Sequence, residues 1–249
     1  MEIESRIFVF ILRKEFFIMK TIGIIGGMGP LATADLYKKI TVNTAADKDQ
    51  DQIHIVIDSN TAIPDRTRNI IADGEDPVPE MTKSIERLSQ CGADFLIMPC
   101  NTAHFFYDRL CAVSPVPILN MLNATVDYIK DTFGPGKTVG LLATDGTIQS
   151  GIYDTYLKNA GLNVVKPAKN QAKVMEFIYD GIKKNNLDIG IDGLMAAADE
   201  MAEQGAEIFI LGCTELSAAT DYYHFDERFV DPLLVLSKKS IVEAGGQVR

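Results

Sequence analysis

The chain has 249 residues, of which 47% are hydrophobic and 23% are charged, a composition typical of a folded α/β protein with a sizeable core. Its formal net charge of −10 argues against a nucleic-acid partner, because nucleic-acid binding needs a basic surface. An anionic ligand would therefore need a local group, such as one arginine or a set of backbone N–H donors.

The first residues, MEIESRIFVFILRKEFFI, contain one short apolar run between charged residues and no small-residue cleavage site. This pattern predicts neither a signal peptide nor a membrane span. We predict that residues 1–18 are an N-terminal extension and that the regular part of the chain starts at Met19.

The four cysteines lack CxxC spacing and are not regularly spaced, so the sequence predicts neither a metal site nor a disulfide framework. Free thiols of this kind indicate a reducing cytoplasm. Cys91 and Cys111 lie in or at the end of predicted helices without neighbouring donors, and we interpret them as packing residues.

From Thr21 onward, short apolar runs alternate with longer amphipathic stretches, which predicts repeated βα units with parallel sheets. The predicted strands are 21–27, 53–58, 93–100, 116–121, 138–144, 162–166 and 207–213. The predicted helices are 31–46, 79–91, 101–112, 122–132, 148–160, 170–184, 191–204 and 232–244.

The two halves of the chain repeat each other. GADFLIMPCNTAH is answered by GAEIFILGCTELS, and IGIIGGMGP is answered by VGLLATDGT. The repeat predicts an α/β fold of two similar domains with parallel sheets flanked by helices, related by a pseudo-twofold axis, with an active site in the cleft between them. We expect a first domain over 19–120 and a second over 121–229. A further hypothesis is that the chain comes back to the first domain over residues 230–249.

Cys100 and Cys213 each end a predicted strand, in equivalent copies of the repeat. Because ligands bind outside the carboxyl ends of parallel strands, the two thiols should face each other across the cleft. A free thiol titrates near ~8.5, and a helix N-terminus lowers that pKa, so a thiolate and a thiol can coexist near neutral pH. Such a pair can act as base and acid on opposite faces of one carbon atom.

Polar residues follow both cysteines, and we expect each group to open a helix, where backbone N–H groups are unpaired. Asn101 and Thr102 follow the first cysteine, and Thr214 and Glu215 follow the second. These groups are predicted donors to an anion bound between the thiols.

The motifs GGMGPLAT, SNTAIPDRT, MPCNTAH, ATDGT and LGCTELS, in this order, resemble those of the aspartate/glutamate racemase family from about residue 20 to about residue 240. The resemblance implies racemisation of aspartate or glutamate without pyridoxal phosphate or another cofactor, by Cys100 and Cys213 as a two-base pair. It also implies a homodimer with a small-molecule amino-acid substrate. The composition and patterns described above already predict a cytoplasmic protein without a metal, nucleic-acid or membrane partner. By the same resemblance, the substrate would be held by Met28, Gly29, Asn60, Arg66, Asn101, Thr102, Thr144, Thr147 and Thr214.

Two departures from the glutamate racemases of cell-wall synthesis point to the aspartate-racemase branch or to its broad-specificity relatives. Glu215 stands where those enzymes carry a histidine, and GGMGP replaces their Asp-Ser pair. Arg66 would then pair with a substrate carboxylate, a task that suits a guanidinium group. Glu215 either favours a helix dipole or assists protonation of Cys213.

Other functions stay open on the sequence alone. The same thiol pair suits cis-trans isomerisation of an unsaturated dicarboxylate, or racemisation of a cyclic amide of an amino acid. A non-catalytic amino-acid-binding module and a redox role through a Cys100–Cys213 disulfide are further alternatives. His104 is either a structural histidine or a group that tunes the Cys100 thiol.

Overall fold

The structure is a computed structural model that describes residues 19–249. The predicted N-terminal extension lies outside the described residues.

The first sheet has three parallel strands in the order β2-β1-β3. Its strands are β1 (Ile22–Gly26), β2 (Ile55–Ser59) and β3 (Phe95–Ile97). β1, with the sequence IGIIG, is buried along its whole length, because apolar residues from both neighbouring layers cover it. Alternate residues of β3 point into two different apolar clusters, so the core of this half lies on both faces of the sheet.

The second sheet has four parallel strands in the order β5-β4-β6-β7. Its strands are β4 (Thr138–Leu142), β5 (Asn163–Val165), β6 (Ile208–Leu211) and β7 (Phe229–Val230). In each half the first strand lies between the next two, β1 between β2 and β3, and β4 between β5 and β6. The sequence repeat therefore corresponds to a repeated strand order.

Helices flank both sheets, and the predicted α/β class with parallel sheets is confirmed. The helices are α1 (Pro30–Asn43), α2 (Arg66–Ile71), α3 (Val78–Gln90), α4 (Tyr107–Cys111), α5 (Met121–Phe133), α6 (Asp145–Ser150), α7 (Ile152–Asn159), α8 (Gln171–Glu176), α9 (Asp192–Glu203), α10 (Thr214–Ala219) and α11 (Pro232–Glu243). None of the helices within residues 19–249 is long and apolar enough to cross a membrane.

The predicted strand at 116–121 is wrong. This segment forms a single parallel bridge between Ile118 and Leu96. Pro115 and Pro117 have no N–H group, so they cannot donate to a ladder, although the carbonyl of Pro117 accepts from the Leu96 N–H at 2.8 Å. The corresponding place in the second sheet is taken by β7, which the sequence did not predict.

Three predicted helices are not continuous α-helices. The helix at 101–112 starts as a 3₁₀ segment, Thr102–Phe106, and only its last part, α4, is α-helical. The helix at 148–160 is divided into α6 and α7 at Gly151, which adopts a left-handed conformation with φ of 63°. The helix at 170–184 continues beyond α8 as a π-helical turn, Phe177–Gly181, and a 3₁₀ turn, Ile182–Lys184. This irregular segment lies next to the site described below.

The last helix packs on the first half of the chain. Leu233 and Leu236 of α11 lie in one apolar cluster with Ile22 and Ile24 of β1. Val230 still pairs within the second sheet, so the segment that packs on the first half of the chain begins after residue 230. We propose that this helix and residues 19–120 form one domain and that the segment from residue 121 to β7 forms the other.

Candidate active site

Cys100 and Cys213 occupy equivalent positions, just beyond the carboxyl ends of β3 and β6. The two residues are 6% and 7% exposed, and their side chains line the same cavity. The structure thus brings together the two cysteines that the sequence repeat singled out.

The cavity between the cysteines is narrow, with a volume of about 20 Å³. A single water molecule needs roughly 10–15 Å³ by this measure, so any larger ligand requires the walls to move apart. The residues that line the cavity are Met28, Asp65, Arg66, Thr67, Cys100, Asn101, Thr102, Thr144, Tyr179, Lys183, Cys213, Thr214 and Glu215.

A larger groove of about 410 Å³ lies between α5 and α11. Apolar side chains and carboxylates line most of it, including Tyr128, Asp131 and Leu234. The narrow cavity is the better candidate for a reaction site, because thiols, hydroxyls, cations and a buried carboxylate converge there.

Threonine hydroxyls from both halves meet beside the cavity. Thr102 Oγ1 lies 3.2 Å from Thr144 Oγ1 and 2.8 Å from Thr147 Oγ1. Thr214 Oγ1 donates to the Pro99 carbonyl at 3.1 Å, which joins the corner of Cys213 to that of Cys100. The hydroxyl network therefore fixes the two cysteine corners relative to each other.

Arg66, the first residue of α2, is held by backbone carbonyls. Its Nη1 donates to Pro64 at 2.9 Å and its Nη2 to Met28 at 3.1 Å. Its Nε atom is buried and has no hydrogen-bond partner among residues 19–249, so it is a donor available to a ligand. Burial opposes the charge on Arg66, but its interactions with Cys100 and Asp65 outweigh burial and raise the pKa of Arg66.

Asn101 presents a second unpaired donor. Its Oδ1 accepts a hydrogen bond from the Tyr153 hydroxyl at 2.6 Å. Its Nδ2 atom is buried without a hydrogen-bond partner in the described part of the chain. A buried N–H group of this kind is costly unless a ligand pairs with it, which makes Asn101 a candidate anion donor.

Cys213 lies beside an ion pair. Its Sγ donates to Glu215 Oε2 at 2.8 Å, and Glu215 also pairs with Lys183 through Oε1. Burial, followed by the negative charge of Glu215, raises the pKa of the Cys213 thiol well above its usual value. Burial lowers the pKa of Lys183, but Glu215 and Cys213 outweigh burial and raise it, so the amine stays charged. Cys213 is therefore a protonated thiol near neutral pH.

Three predicted binding residues lie away from the cavity wall. Gly29 lines an adjacent pocket of about 210 Å³, which shares Lys183 and Glu215 with the cavity. The Asn60 side chain donates to Ser84 Oγ at 3.3 Å, and Thr147 lies behind the other threonines. A direct contact of these residues with a ligand stays a prediction.

Four cavity residues were not among the predicted site residues, namely Asp65, Thr67, Tyr179 and Lys183. Asp65 and Thr67 flank Arg66 in SNTAIPDRT, so the motif itself was the signal that could have found them. Tyr179 and Lys183 lie on the irregular segment after α8, where the sequence resembles any amphipathic helix. The sequence carried no specific signal for that second pair.

Both ring nitrogens of His104 form hydrogen bonds to the backbone. His104 Nδ1 donates to the Cys100 carbonyl at 2.9 Å, and His104 Nε2 accepts from the Met121 N–H at 3.1 Å. Burial lowers the pKa of His104 to about 4, so this buried ring is neutral.

Cys91 and Cys111 are exposed, which corrects their interpretation as packing residues. Within residues 19–249, no group of three or more His, Cys, Asp or Glu side chains could hold a metal ion.

Comparison with known proteins identifies relatives across most of the chain. The family model described as Asp/Glu/hydantoin racemase matches residues 25–237. A curated relative, the broad specificity amino-acid racemase RacX of Bacillus subtilis, is 32% identical over 228 residues, which cover 88% of this chain and 96% of RacX.

Solved structures agree with the sequence comparison. Picrophilus torridus aspartate racemase has a TM-score of 0.81 and 31% identity, covering 92% of this chain and 96% of its own. An aspartate racemase homologue from Pyrococcus horikoshii has a TM-score of 0.73 and 25% identity, covering 91% of this chain and 100% of its own. This chain therefore belongs to the Asp/Glu/hydantoin racemase family.

Proposed function

We propose that the protein racemises an acidic amino acid, aspartate or glutamate, without pyridoxal phosphate, with Cys100 and Cys213 as the two acid/base groups. The observation that carries the proposal is the convergence of these two cysteines, from equivalent strand ends of two sheets, on one cavity. The names of the relatives support it, because RacX is an amino-acid racemase and the Picrophilus torridus relative is an aspartate racemase.

The proposed reaction moves one proton onto the enzyme and another off it. The thiolate of one cysteine takes the proton from one face of Cα, and the thiol of the other cysteine gives its proton to the opposite face. The two cysteines exchange roles when the reaction runs in reverse. The Cα proton is a far weaker acid than a thiol, and each pKa unit of that mismatch costs about 1.4 kcal/mol. The site must therefore stabilise the carbanion through donors to the α-carboxylate.

Two cationic side chains favour a substrate with two carboxylates. Arg66 and Lys183 both line the cavity, and the unpaired Nε of Arg66 and Nδ2 of Asn101 are ready to donate to carboxylate oxygens. Asp65 and Glu215 offer acceptors for the substrate ammonium group. Arg66, Lys183 and the unpaired N–H donors thus give substrate carboxylates local partners in a protein of net charge −10.

Substrate binding must widen the cavity, and the Lys183–Glu215 pair marks the wall that can move. The Lys183 side chain is partly exposed, and both residues also line the adjacent pocket of about 210 Å³. A substrate carboxylate would compete with Glu215 for Lys183. Movement of this pair would join the narrow cavity to the neighbouring pocket.

A substrate panel tests the proposal and separates it from the alternatives. Reduced protein without added pyridoxal phosphate is incubated with L-aspartate, L-glutamate, neutral and basic L-amino acids, maleate and a 5-substituted hydantoin, followed by chiral chromatography. We expect D-aspartate or D-glutamate to form fastest, and we expect oxidation of the thiols to inhibit. Conversion of maleate to fumarate with both acidic amino acids untouched would indicate a dicarboxylate isomerase. Binding of aspartate without turnover would indicate a binding module.

We also propose a cytoplasmic homodimer, with the assembly based on the family resemblance and the location based on the free cysteines. Light scattering of the purified full-length chain tests the assembly, with a mass of twice 27.4 kDa expected. A monomer at working concentration would contradict it.

A further inference from the structure

Tyr153 lies behind the candidate site and reaches across from the second half of the chain. It belongs to α7, and its side chain is fully buried in an apolar cluster with Val126 and Leu157. Its hydroxyl donates to Asn101 Oδ1 at 2.6 Å, and Asn101 directly follows Cys100 in the first half. Within the described part of the chain, Tyr153 is not one of the residues that line the cavity.

This hydrogen bond decides which end of the Asn101 amide faces the cavity. Burial raises the pKa of Tyr153, so its hydroxyl is protonated and can donate. A flipped amide would turn Nδ2 toward the hydroxyl, and the phenolic hydrogen would then lose the acceptor that it has at 2.6 Å. The observed arrangement avoids that loss, because Oδ1 accepts from Tyr153 and Nδ2 is left without a partner among residues 19–249.

We infer that Tyr153 is a positioning residue, which fixes the Asn101 amide so that its Nδ2 donates to the substrate carboxylate. The inference rests on the proposed racemase function and deepens it. Tyr153 acts only through Asn101 and touches neither the substrate nor the thiols.

The same helix supplies a matched control. The Tyr156 hydroxyl also forms a hydrogen bond with an asparagine side chain, because it accepts from Asn120 Nδ2 at 3.0 Å. Asn120 caps the start of α5 through its Oδ1, which accepts from Asn123 N–H. Tyr156→Phe therefore removes a comparable hydroxyl–amide hydrogen bond away from the cavity.

The test compares Tyr153→Phe and Tyr156→Phe in the full-length protein by steady-state kinetics and thermal unfolding. We expect Tyr153→Phe to raise KM about tenfold, because the carboxylate is already charged in the bound substrate. Any loss of carbanion stabilisation lowers kcat in addition, so the rise in KM is the decisive result. We expect Tyr156→Phe to change KM by less than about twofold. A merely structural role would reduce the folded fraction, which lowers the apparent kcat and leaves KM unchanged.

A double-mutant cycle with Asn101→Ala isolates the coupling. In the Asn101→Ala background, Tyr153→Phe should have no further effect on KM, because its target amide is gone. An unchanged KM in Tyr153→Phe, or the same increase in both backgrounds, would overturn the inference.

Asn101→Asp keeps the inference testable if Tyr153→Phe fails to fold. The Tyr153 hydroxyl can still donate to one carboxylate oxygen, while the other oxygen replaces the N–H donor at the cavity. We expect KM to rise more than about tenfold, and an unchanged KM would contradict a donor at this position. Failure of the wild-type protein to racemise any amino acid would instead count against the proposed function.

Discussion

The two thiols of the cavity have different surroundings. Cys213 donates to the buried carboxylate of Glu215, and burial together with this charge raises the pKa of Cys213. Cys100 lies at the other corner, beside Arg66 and the threonine hydroxyls. Cys213 should therefore stay protonated in the resting enzyme.

Replacement of either cavity thiol tests the two-base mechanism. We expect Cys100→Ser and Cys213→Ser each to lower racemisation at least about a hundredfold, because a hydroxyl is a much weaker acid than a thiol. Cys91→Ser and Cys111→Ser are matched controls, since both residues are exposed and lie outside the cavity. Chiral chromatography gives the rates, and a normal rate in either cavity mutant would contradict the mechanism.

Removal of the charge on Glu215 should move the pH dependence. Glu215 raises the pKa of Cys213, and Lys183 lowers it, so Glu215→Gln removes the opposing charge and leaves Lys183 unpaired. Both changes favour the thiolate, and we expect the profile of kcat/KM against pH to shift toward lower pH. The equal-volume change Glu215→Gln is measured beside Glu207→Gln, an exposed carboxylate in a surface ion pair. An unshifted profile would show that Glu215 does not tune the thiol.

At the residue scale, repetition made the candidate site predictable. The two cysteines stood out because their motifs recur, and the flanking Asn101, Thr102 and Thr214 follow from them. Lys183 could not be found in this way, because its approach to Glu215 depends on an irregular turn and on packing between distant elements.

Helices α2 and α6 hold the halves together beside the cavity. α2 begins at Arg66, where Asp65 caps it by accepting from the Arg68 N–H at 2.7 Å. A Cβ atom on Gly146 of α6 would lie only 2.8 Å from Thr67 Cα. Only a glycine therefore allows this approach of the two helices.

Gly146→Ala should separate these helices. We expect a loss of about 1–3 kcal/mol in the free energy of unfolding from overpacking, and a higher KM because Arg66 and Thr144 no longer converge. Ser150→Ala is the control, since it lies at the end of the same helix and adds no atom. Urea unfolding and steady-state kinetics measure both effects, and wild-type values for Gly146→Ala would refute this role of the contact.

At the element scale, the sequence predicted the long regular helices and most strands, and it failed where a single residue or tertiary packing decides the conformation. Gly151 divides one predicted helix, and Pro115 and Pro117 reduce a predicted strand to a bridge. The π-helical turn at Phe177–Gly181 could not be predicted, because apolar spacing does not distinguish it from the α-helix that precedes it.

At the scale of the whole molecule, His104 connects the Cys100 corner to the helix that leads into the second half. The neutral ring donates to the Cys100 carbonyl and accepts from Met121 at the start of α5. A charged ring would lose the acceptor for the Met121 N–H group. The connection between the halves therefore depends on a deprotonated histidine.

Acid should weaken the fold through this residue. The pKa of His104 is lowered in the folded protein to about 4, while the unfolded chain titrates near the ordinary value of 6.5. As the pH falls through this window, the unfolded state binds a proton that the folded state excludes, so stability is lost. The stability advantage over His104→Gln should shrink by about 3 kcal/mol between about pH 7 and about pH 4.

Urea unfolding across this range measures the effect. His54→Gln is the control, because His54 is exposed. A stability difference between wild type and His104→Gln that does not vary with pH would contradict the assignment of a neutral buried ring.

The repeated strand order follows from the repeated sequence, which is why the fold class could be predicted from the chain alone. The width of the cavity could not, because it depends on how closely two sheets and the segment bearing Lys183 approach each other.

The exchange of the α-proton in D₂O tests the central claim most directly. Wild type, Cys100→Ser and Cys213→Ser are each incubated, reduced and without added pyridoxal phosphate, with L-aspartate and L-glutamate. Proton NMR follows the α-proton, and chiral analysis follows the product. Loss of the α-proton signal with formation of the deuterated D enantiomer by the wild type, and no D enantiomer from either mutant, is the predicted result. A retained α-proton signal with folded, reduced wild-type protein, or undiminished inversion by either mutant, would contradict racemisation by the Cys100–Cys213 pair.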